Sequence, residues 1–472
     1  MKPDAPYWQW SACDLADAIS RRDITSLAAV ASVVGRLRAK NPELNAVVVD
    51  LSEEALAQAR AADESVQAGR PTGPLHGVPV TVKINTDVKG QPNTNGIPAL
   101  ADCTAPDDAA VVRNLRRAGA VILGLTNTPE FSMRMMTDNP LYGRTVNPWR
   151  AEFTCGGSSG GAAVSLAAGF GPIAQGNDIG GSLRIPAFCC GVCALRPTQG
   201  RVPTYNPSQH DERPPAAQLF SVQGPMAREV RDLRRALAVM AEGDVRDPWW
   251  VPAPLEGPRT GRPVRVALTK SPAGDTPHPV IAAALEAAAG HLADAGYAVE
   301  AVEAPFSEEL GELWKSLIFT EMRQLQEDVI RRLGSKAFHT FLDGCYNSTQ
   351  LLDEGGYMRA LMARTRILRQ WLLFLEDHPL VLAPLSLKPA FRVDEDIEDE
   401  DRARRLFIKL RPSYSVNALG LPSVAVPAGI HKGVPFGLQI VGPRFREDLC
   451  LDAAEVLEKR TGILARRLWE RF

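Results

Sequence analysis

The chain is poor in the features that mark several large protein classes. Cysteine is scarce, with 8 residues among 472. Cys189, Cys190 and Cys193 cluster, yet no second CxxC-type pair stands near a histidine motif. No zinc site is therefore expected, and the cysteines read as small buried hydrophobes in a reducing cytoplasm. No apolar run reaches the roughly 18 residues of a membrane span; the least polar stretch, 160–174, is broken by glycines and a proline. The opening residues MKPDAPYWQW hold no apolar core, so no secretory leader is expected. Neither sign of charge is in excess, since Lys plus Arg number 53 and Asp plus Glu 55, a net charge of −2. That argues against partners held by bulk electrostatics, nucleic acid and membrane surfaces among them. The 7 histidines (76, 210, 278, 291, 339, 378 and 431) form no HxxxH pair. The usual sign of a helix-borne metal site is thus missing, no GxSxG elbow is expected to carry a Ser-His-Asp triad, and His76 reads as a hydrogen-bonded structural histidine.

What the chain does have is ordinary globular composition, 45% hydrophobic and 23% charged, and enough length to bury a core without disulfides or structural metal. Apolar spacing predicts helices over 13–20 and 26–38, with Asn41-Pro42 breaking the pattern. Val47-Val48-Val49 reads as a strand, and Ser52 as the cap of a helix ending at Gly69. Strands follow at 78–84 and 120–125, around a helix capped by Asp107 or Asp108. This alternation predicts an α/β fold with a parallel or mixed sheet. Residues 140–205 are rich in Gly, Ser and Pro and read as a long ordered, functional loop. Further on, helices are expected at 226–240 and 279–295, and strands at 264–268, 297–302, 424–427 and 437–441. Between them 306–376 reads as helical with breaks near Gly344 and Gly355-Gly356. The Pro-rich stretch 247–262 reads as a surface connection, Trp249-Trp250 as packing or mouth residues, and the acidic run 394–401 as a solvated face.

Three segments carry chemistry. In Gly77-Val-Pro-Val-Thr-Val-Lys83 a lysine ends an apolar strand. Burying an ammonium is costly, so Lys83 is either an edge residue reaching water or a functional one. In Gly156-Gly-Ser158-Ser159-Gly-Gly161 glycines flank two serines, a pattern that suits either a flexible loop or a backbone left open to polar partners. In Asp178-Ile179-Gly180-Gly181-Ser182-Leu-Arg184 a serine follows two glycines, as in a tight turn or a nucleophile beside an oxyanion hole.

In this order and spacing the three segments resemble the amidase signature family. Lys83, Ser158 and Ser182 fall where that family places its catalytic lysine, bridging serine and nucleophilic serine, the serines 24 positions apart. The likeness continues in Asn127-Thr128-Pro129-Glu130-Phe131, Asn147-Pro148-Trp149, Leu195 to Arg201, Gly224 to Arg228, Asn417 to Gly429 and Gly433 to Gly442. It is weakest over 240–380. The resemblance implies an α/β amidase signature fold: a large twisted mixed β-sheet covered by helices on both faces. It further implies a single amidase domain over 1–472, with an N-terminal helical part (1–70), a signature core (71–235), a variable, mostly helical region (240–390) and a C-terminal part of the core (391–472).

The resemblance also implies a reaction. Ser182 would attack a carbonyl, Ser158 (after a cis peptide) would relay its proton to a neutral Lys83, and the amides of Ile179, Gly180, Gly181 and Ser182 would bind the oxyanion. Ser159, Asp178 and Arg184 read as supports. Met133, Met136 and Ile179 read as pocket walls, with Met135, Met358 and Met362 as further candidates for an adaptable apolar surface or for core packing. No cofactor and no metal are expected. The partner is a small-molecule amide or carbamate, with no nucleic acid and no membrane; a homodimer is compatible with the family, and a cytoplasmic location is expected. Two departures stand out. Ile84 and Asn85 follow the lysine where family members commonly carry an acid, and Asn177 and Ile179 replace common threonines. Three readings stay open: a stand-alone hydrolase of amides, including anilides, carbamates (a urethanase) or esters; the glutaminase subunit of a tRNA-dependent amidotransferase; and an inactive binding protein on the same fold.

Overall fold

The computed structural model describes residues 5–70, 72–209, 211–259 and 262–471; the first four residues, His210 and part of the Pro-rich connection lie outside the described residues. One mixed sheet of 11 strands runs through the protein, flanked by helices. Its strands are β1 (Val47–Asp50), β2 (Pro79–Lys83), β3 (Val121–Thr126), β4 (Ile173–Asp178), β5 (Cys193–Arg196), β6 (Val222–Ala227), β7 (Arg265–Leu268), β8 (Ala298–Glu300), β9 (Leu380–Pro384), β10 (Ser423–His431) and β11 (Val434–Val441). They lie in the order β1-β3-β2-β4-β6-β5-β10-β11-β9-β7-β8. β2 is parallel to both β3 and β4, and every residue of β2 and β3 is buried. That explains their unbroken apolar sequence, since a strand covered on both faces has no polar side to alternate with. Parallel pairing brings the carboxyl ends of β2 and β4 to one edge, where a crevice in an open α/β sheet forms.

Several elements differ from the sequence expectation, each for a physical reason. The helix Ser26–Leu44 runs through Pro42 instead of stopping at Asn41. Leu44 is buried, Asn41 Oδ1 accepts from the amides of Ala46 and Val47 at 2.9 Å each, and left-handed Asn45 closes the helix. Ser52 begins its helix without capping it; its amide and hydroxyl are held by Asp50. Asp107 and Asp108 cap nothing. They pair with Arg113 at 2.8 Å and Arg116 at 3.1 Å, while the amide of Ala110 is met by the Tyr205 carbonyl. The stretch 140–205 is not a loop throughout, since it holds the helices Gly160–Ala168 and Arg184–Cys190 besides β4 and β5. Gly160–Ala168 is buried all round, so it has no polar face for a helical period to reveal. Met226 belongs to β6, and the helix after it spans Val230–Met240. Gly344 lies inside the helix Lys336–Asn347, and Gly355-Gly356 sit in the first turns of Glu354–Asp377. In the acidic run, Asp396 is buried (1% exposed) against the Arg134 guanidinium at 2.7 and 3.0 Å.

Candidate active site

Lys83 ends β2 with no solvent exposure. Its Nζ lies 2.7 Å from Ser158 Oγ and donates to Asn177 Oδ1 at 2.8 Å. Burial pushes the ammonium pKa well below its ordinary value, against a weaker upward pull from the Asp178 carboxylate. Neither neighbour in hydrogen-bond range among the described residues is charged, so no counter-charge in contact with Nζ offsets the cost of a buried cation.

The surroundings of Lys83 fill the place left by the missing acid, and sequence reasoning did not find them. Asn177 Nδ2 donates to Asn85 Oδ1 at 2.8 Å, and Asn85 Nδ2 to Ser132 Oγ at 2.9 Å. Ser132 Oγ donates to Asn95 Oδ1 at 2.6 Å and touches Thr128 Oγ1, which donates to the Ser158 carbonyl at 3.0 Å. A ring of neutral side chains thus leads from Lys83 back to Ser158. Phe131 and Ser132 both have left-handed φ, 53° and 56°, a strained pairing held in place by these bonds. The available signal was the departure itself: two asparagines, at 85 and 177, in segments already singled out.

Ser158 follows a cis peptide bond from Gly157 and precedes the helix Gly160–Ala168; the whole segment 156–161 is buried, not a flexible loop. The amide of Ser159 donates to the Ser182 carbonyl at 3.2 Å, which brings the two serine segments side by side, and Ser159 Oγ donates to the Asn177 carbonyl at 3.4 Å. Ser182 is half-buried. Of the four amides expected at an oxyanion hole, that of Gly181 is already engaged, donating to Asp178 Oδ1 at 2.6 Å. Those of Ile179, Gly180 and Ser182 donate to no acceptor among the described residues. A group of unpaired donors beside a serine hydroxyl is suited to an anion that forms there.

The family profile described as Amidase matches residues 28–451. This chain belongs to the amidase signature family. It is 50% identical over 99% of its length to "Indoleacetamide hydrolase" of Bradyrhizobium diazoefficiens, covering 90% of that protein. It is 31% identical over 97% of its length to a glutamyl-tRNA(Gln) amidotransferase subunit of Moorella thermoacetica, covering 98% of that protein. The solved structure of a bacterial aryl acylamidase superposes with a TM-score of 0.82 at 28% identity, covering 98% of each chain. The protein is an amidase, a hydrolase of C–N bonds in linear amides, and its substrate is a small-molecule amide.

In this amidase the segment after β4 is held by a buried ionic knot. Asp178 accepts from Arg184 Nε at 3.0 Å and from Asn417 Nδ2 at 2.7 Å, and Arg184 also donates to Asn417 Oδ1 at 2.6 Å and to the Ser413 carbonyl at 3.0 Å. Arg196 donates to the Asp178 carbonyl at 2.8 Å. Burial raises the Asp178 pKa, but the guanidiniums of Arg184 and Arg196 and the hydrogen bonds outweigh it and hold the carboxyl well below the usual carboxylate range. Burial also pulls the Arg196 pKa down to about 9. Asp178→Ala leaves two buried guanidiniums without their counter-charge, and loss of one partner of a buried pair costs about 3–5 kcal/mol. Urea denaturation should show that loss as a lower midpoint; an unfolding free energy within about 1 kcal/mol of the wild type would contradict it.

The methionines of the amidase differ in exposure. Met136 is 3% exposed and part of the core. Met133, Met135 and Ile179 are half-buried, while Met358 and Met362 are 64% and 72% exposed. Trp249 is exposed and Trp250 donates to the Ala241 carbonyl at 3.0 Å. His76 Nε2 lies 3.0 Å from the Ala62 carbonyl. No metal-binding cluster and no helix able to cross a membrane occur among the described residues.

Proposed function

We propose that this amidase hydrolyses the primary amide of arylacetamides of the indoleacetamide class to the carboxylic acid and ammonia, through an acyl-enzyme on Ser182. The substrate class is supported by the 50% identity to indoleacetamide hydrolase. The chemistry is supported by the 2.7 Å contact of Ser158 with a buried lysine whose pKa is depressed. A serine hydroxyl needs a base, and a desolvated lysine can be one. Its N–H on Asn177 Oδ1, which only accepts, leaves the neutral Nζ lone pair for the Ser158 hydroxyl.

Ser182 Oγ forms a bond to the carbonyl carbon as its proton passes to Ser158 and that of Ser158 to Lys83. The carbonyl π pair moves onto oxygen, toward the amides of Ile179, Gly180 and Ser182. Collapse breaks the C–N bond, and the proton returns from Lys83 through Ser158 to the nitrogen, releasing ammonia. Water then repeats the sequence on the ester, giving acid and free Ser182. Asp178, Arg184 and Ser159 keep the nucleophile segment in place.

A panel of indole-3-acetamide, phenylacetamide, hexanamide, acetamide, p-nitroacetanilide, an aryl carbamate, an aryl ester and L-glutamine tests the substrate class. The arylacetamides should give the highest kcat/KM. Glutamine in first place would replace this reading with that of an amidotransferase component, to which 31% identity extends over 97% of the chain; the carbamate in first place would make the protein a urethanase.

A further inference from the structure

Trp314 stands on the helix Glu308–Glu321, in the stretch where the sequence resembles the family least, and is 3% exposed. Its indole N–H donates to the Ile179 carbonyl at 2.8 Å. The ring lies close enough to the neighbouring peptide that a Cβ at Gly180 would stand 2.7 Å from its Cζ2. Tyr414, 5.0 Å away at 32°, and Phe319, 6.1 Å away at 89°, hold the ring. One peptide further, Gly181 has φ +117°, and a Cβ there would come within 2.2 Å of Ser413 Oγ, which sits 3.5 Å from the Gly180 carbonyl. The two glycines therefore let side chains from separate helices press on the backbone just before Ser182.

In a planar trans peptide the C=O and N–H point to opposite sides. With the Ile179 carbonyl turned onto the indole, the Gly180 N–H is turned away from it, and that amide has no acceptor among the described residues. Without the indole N–H, the Ile179–Gly180 peptide could rotate and present a carbonyl dipole to a developing anion. Asp178 already occupies the Gly181 amide, so few donors are left to compensate.

We propose that Trp314 is a positioning residue whose indole N–H, by holding the Ile179 carbonyl, aims the Gly180 amide at the oxyanion of the tetrahedral intermediate. The proposal rests on the Ser182 acyl-enzyme reading. It makes the variable region part of the catalytic apparatus, through a hydrogen bond to the backbone and without contact with substrate.

Trp314→Phe keeps a ring and removes the N–H. Deleting an oxyanion donor outright costs about 10²–10³ in kcat; a misaimed one should cost roughly 10–10², with KM for phenylacetamide held within about threefold. The Ki of a benzyl trifluoromethyl ketone, which forms an oxyanion on the serine, should rise in parallel, and the Ki of the product phenylacetate should not. Benzothienylalanine at 314, shaped like tryptophan but lacking the N–H, should give the same pattern if the phenylalanine variant folds poorly. Wild-type kcat and ketone affinity in either variant would overturn the role of Trp314. So would a rise in KM and phenylacetate Ki with kcat unchanged, which would make the residue a pocket wall. Failure of the ketone to inhibit the wild-type enzyme, with no adduct on Ser182, would instead overturn the acyl-enzyme reading.

Discussion

Ser182→Ala should lower kcat by about 10⁵–10⁶, the scale of losing a serine nucleophile that acts with a base as one unit. Nothing else in the vicinity can replace it. Ser158 is 1% exposed with its hydroxyl on Lys83, and the buried cysteines have thiols that burial raises, Cys155 to about 12 and Cys189 likewise upward, so they stay protonated and unreactive at neutral pH. Intact-mass spectrometry after a fluorophosphonate should show a single adduct, and peptide mapping should place it on Ser182. Ser158→Ala should lose less, because water can stand in part for a relay but not for a nucleophile. An adduct on Ser158 or on a cysteine, or residual activity in Ser182→Ala above about 1% of wild type, would reject the assignment.

Lys83→Ala should lose at least about 10³ in kcat/KM, since it removes the base and leaves the Ser158 hydroxyl without its acceptor. Lys83→Arg should do no better, because a guanidinium stays protonated. In the proposed mechanism the base works neutral, and its neutral fraction grows as pH rises through its pKa. Because burial holds that pKa well below the ordinary lysine value, the rate of the wild type should climb with pH and level off in the neutral-to-alkaline range, short of pH ~10.4. Lys83→Met should melt at or above the wild-type temperature while remaining inactive, as expected where a buried amine is kept for chemistry at a cost in stability. Near-wild-type turnover in Lys83→Arg would mean that position 83 supplies positive charge and not proton transfer, and the Ser-Ser-Lys mechanism would fall.

The sequence by itself determined what depends on short stretches. The β2–β3 pair was legible because strands buried on both faces are continuous apolar runs. Lys83, Ser158 and Ser182 stood out because each interrupts a local pattern: a cation at the end of an apolar strand, and serines among glycines. Helix boundaries failed where distant partners overrode local chemistry, as at Pro42, held by Asn41 and the burial of Leu44, and at Asp108, drawn to Arg116 and the Lys89 amide. The helix Gly160–Ala168 was hidden because it has no exposed face. Only the tertiary structure decided how the candidate site is tuned. It brings Asn85, Ser132 and Asn177 round Lys83, gives the Gly181 amide to Asp178, draws Asn417 onto Arg184 from 233 positions away, and sets Trp314 on the Ile179 carbonyl from 135 away. These contacts join residues with no shared period or spacing. Hydrogen bonds and buried charges act over a few ångströms of space, whatever the distance along the chain, so their partners are known only once the sheet has brought the carboxyl ends of β2 and β4 together.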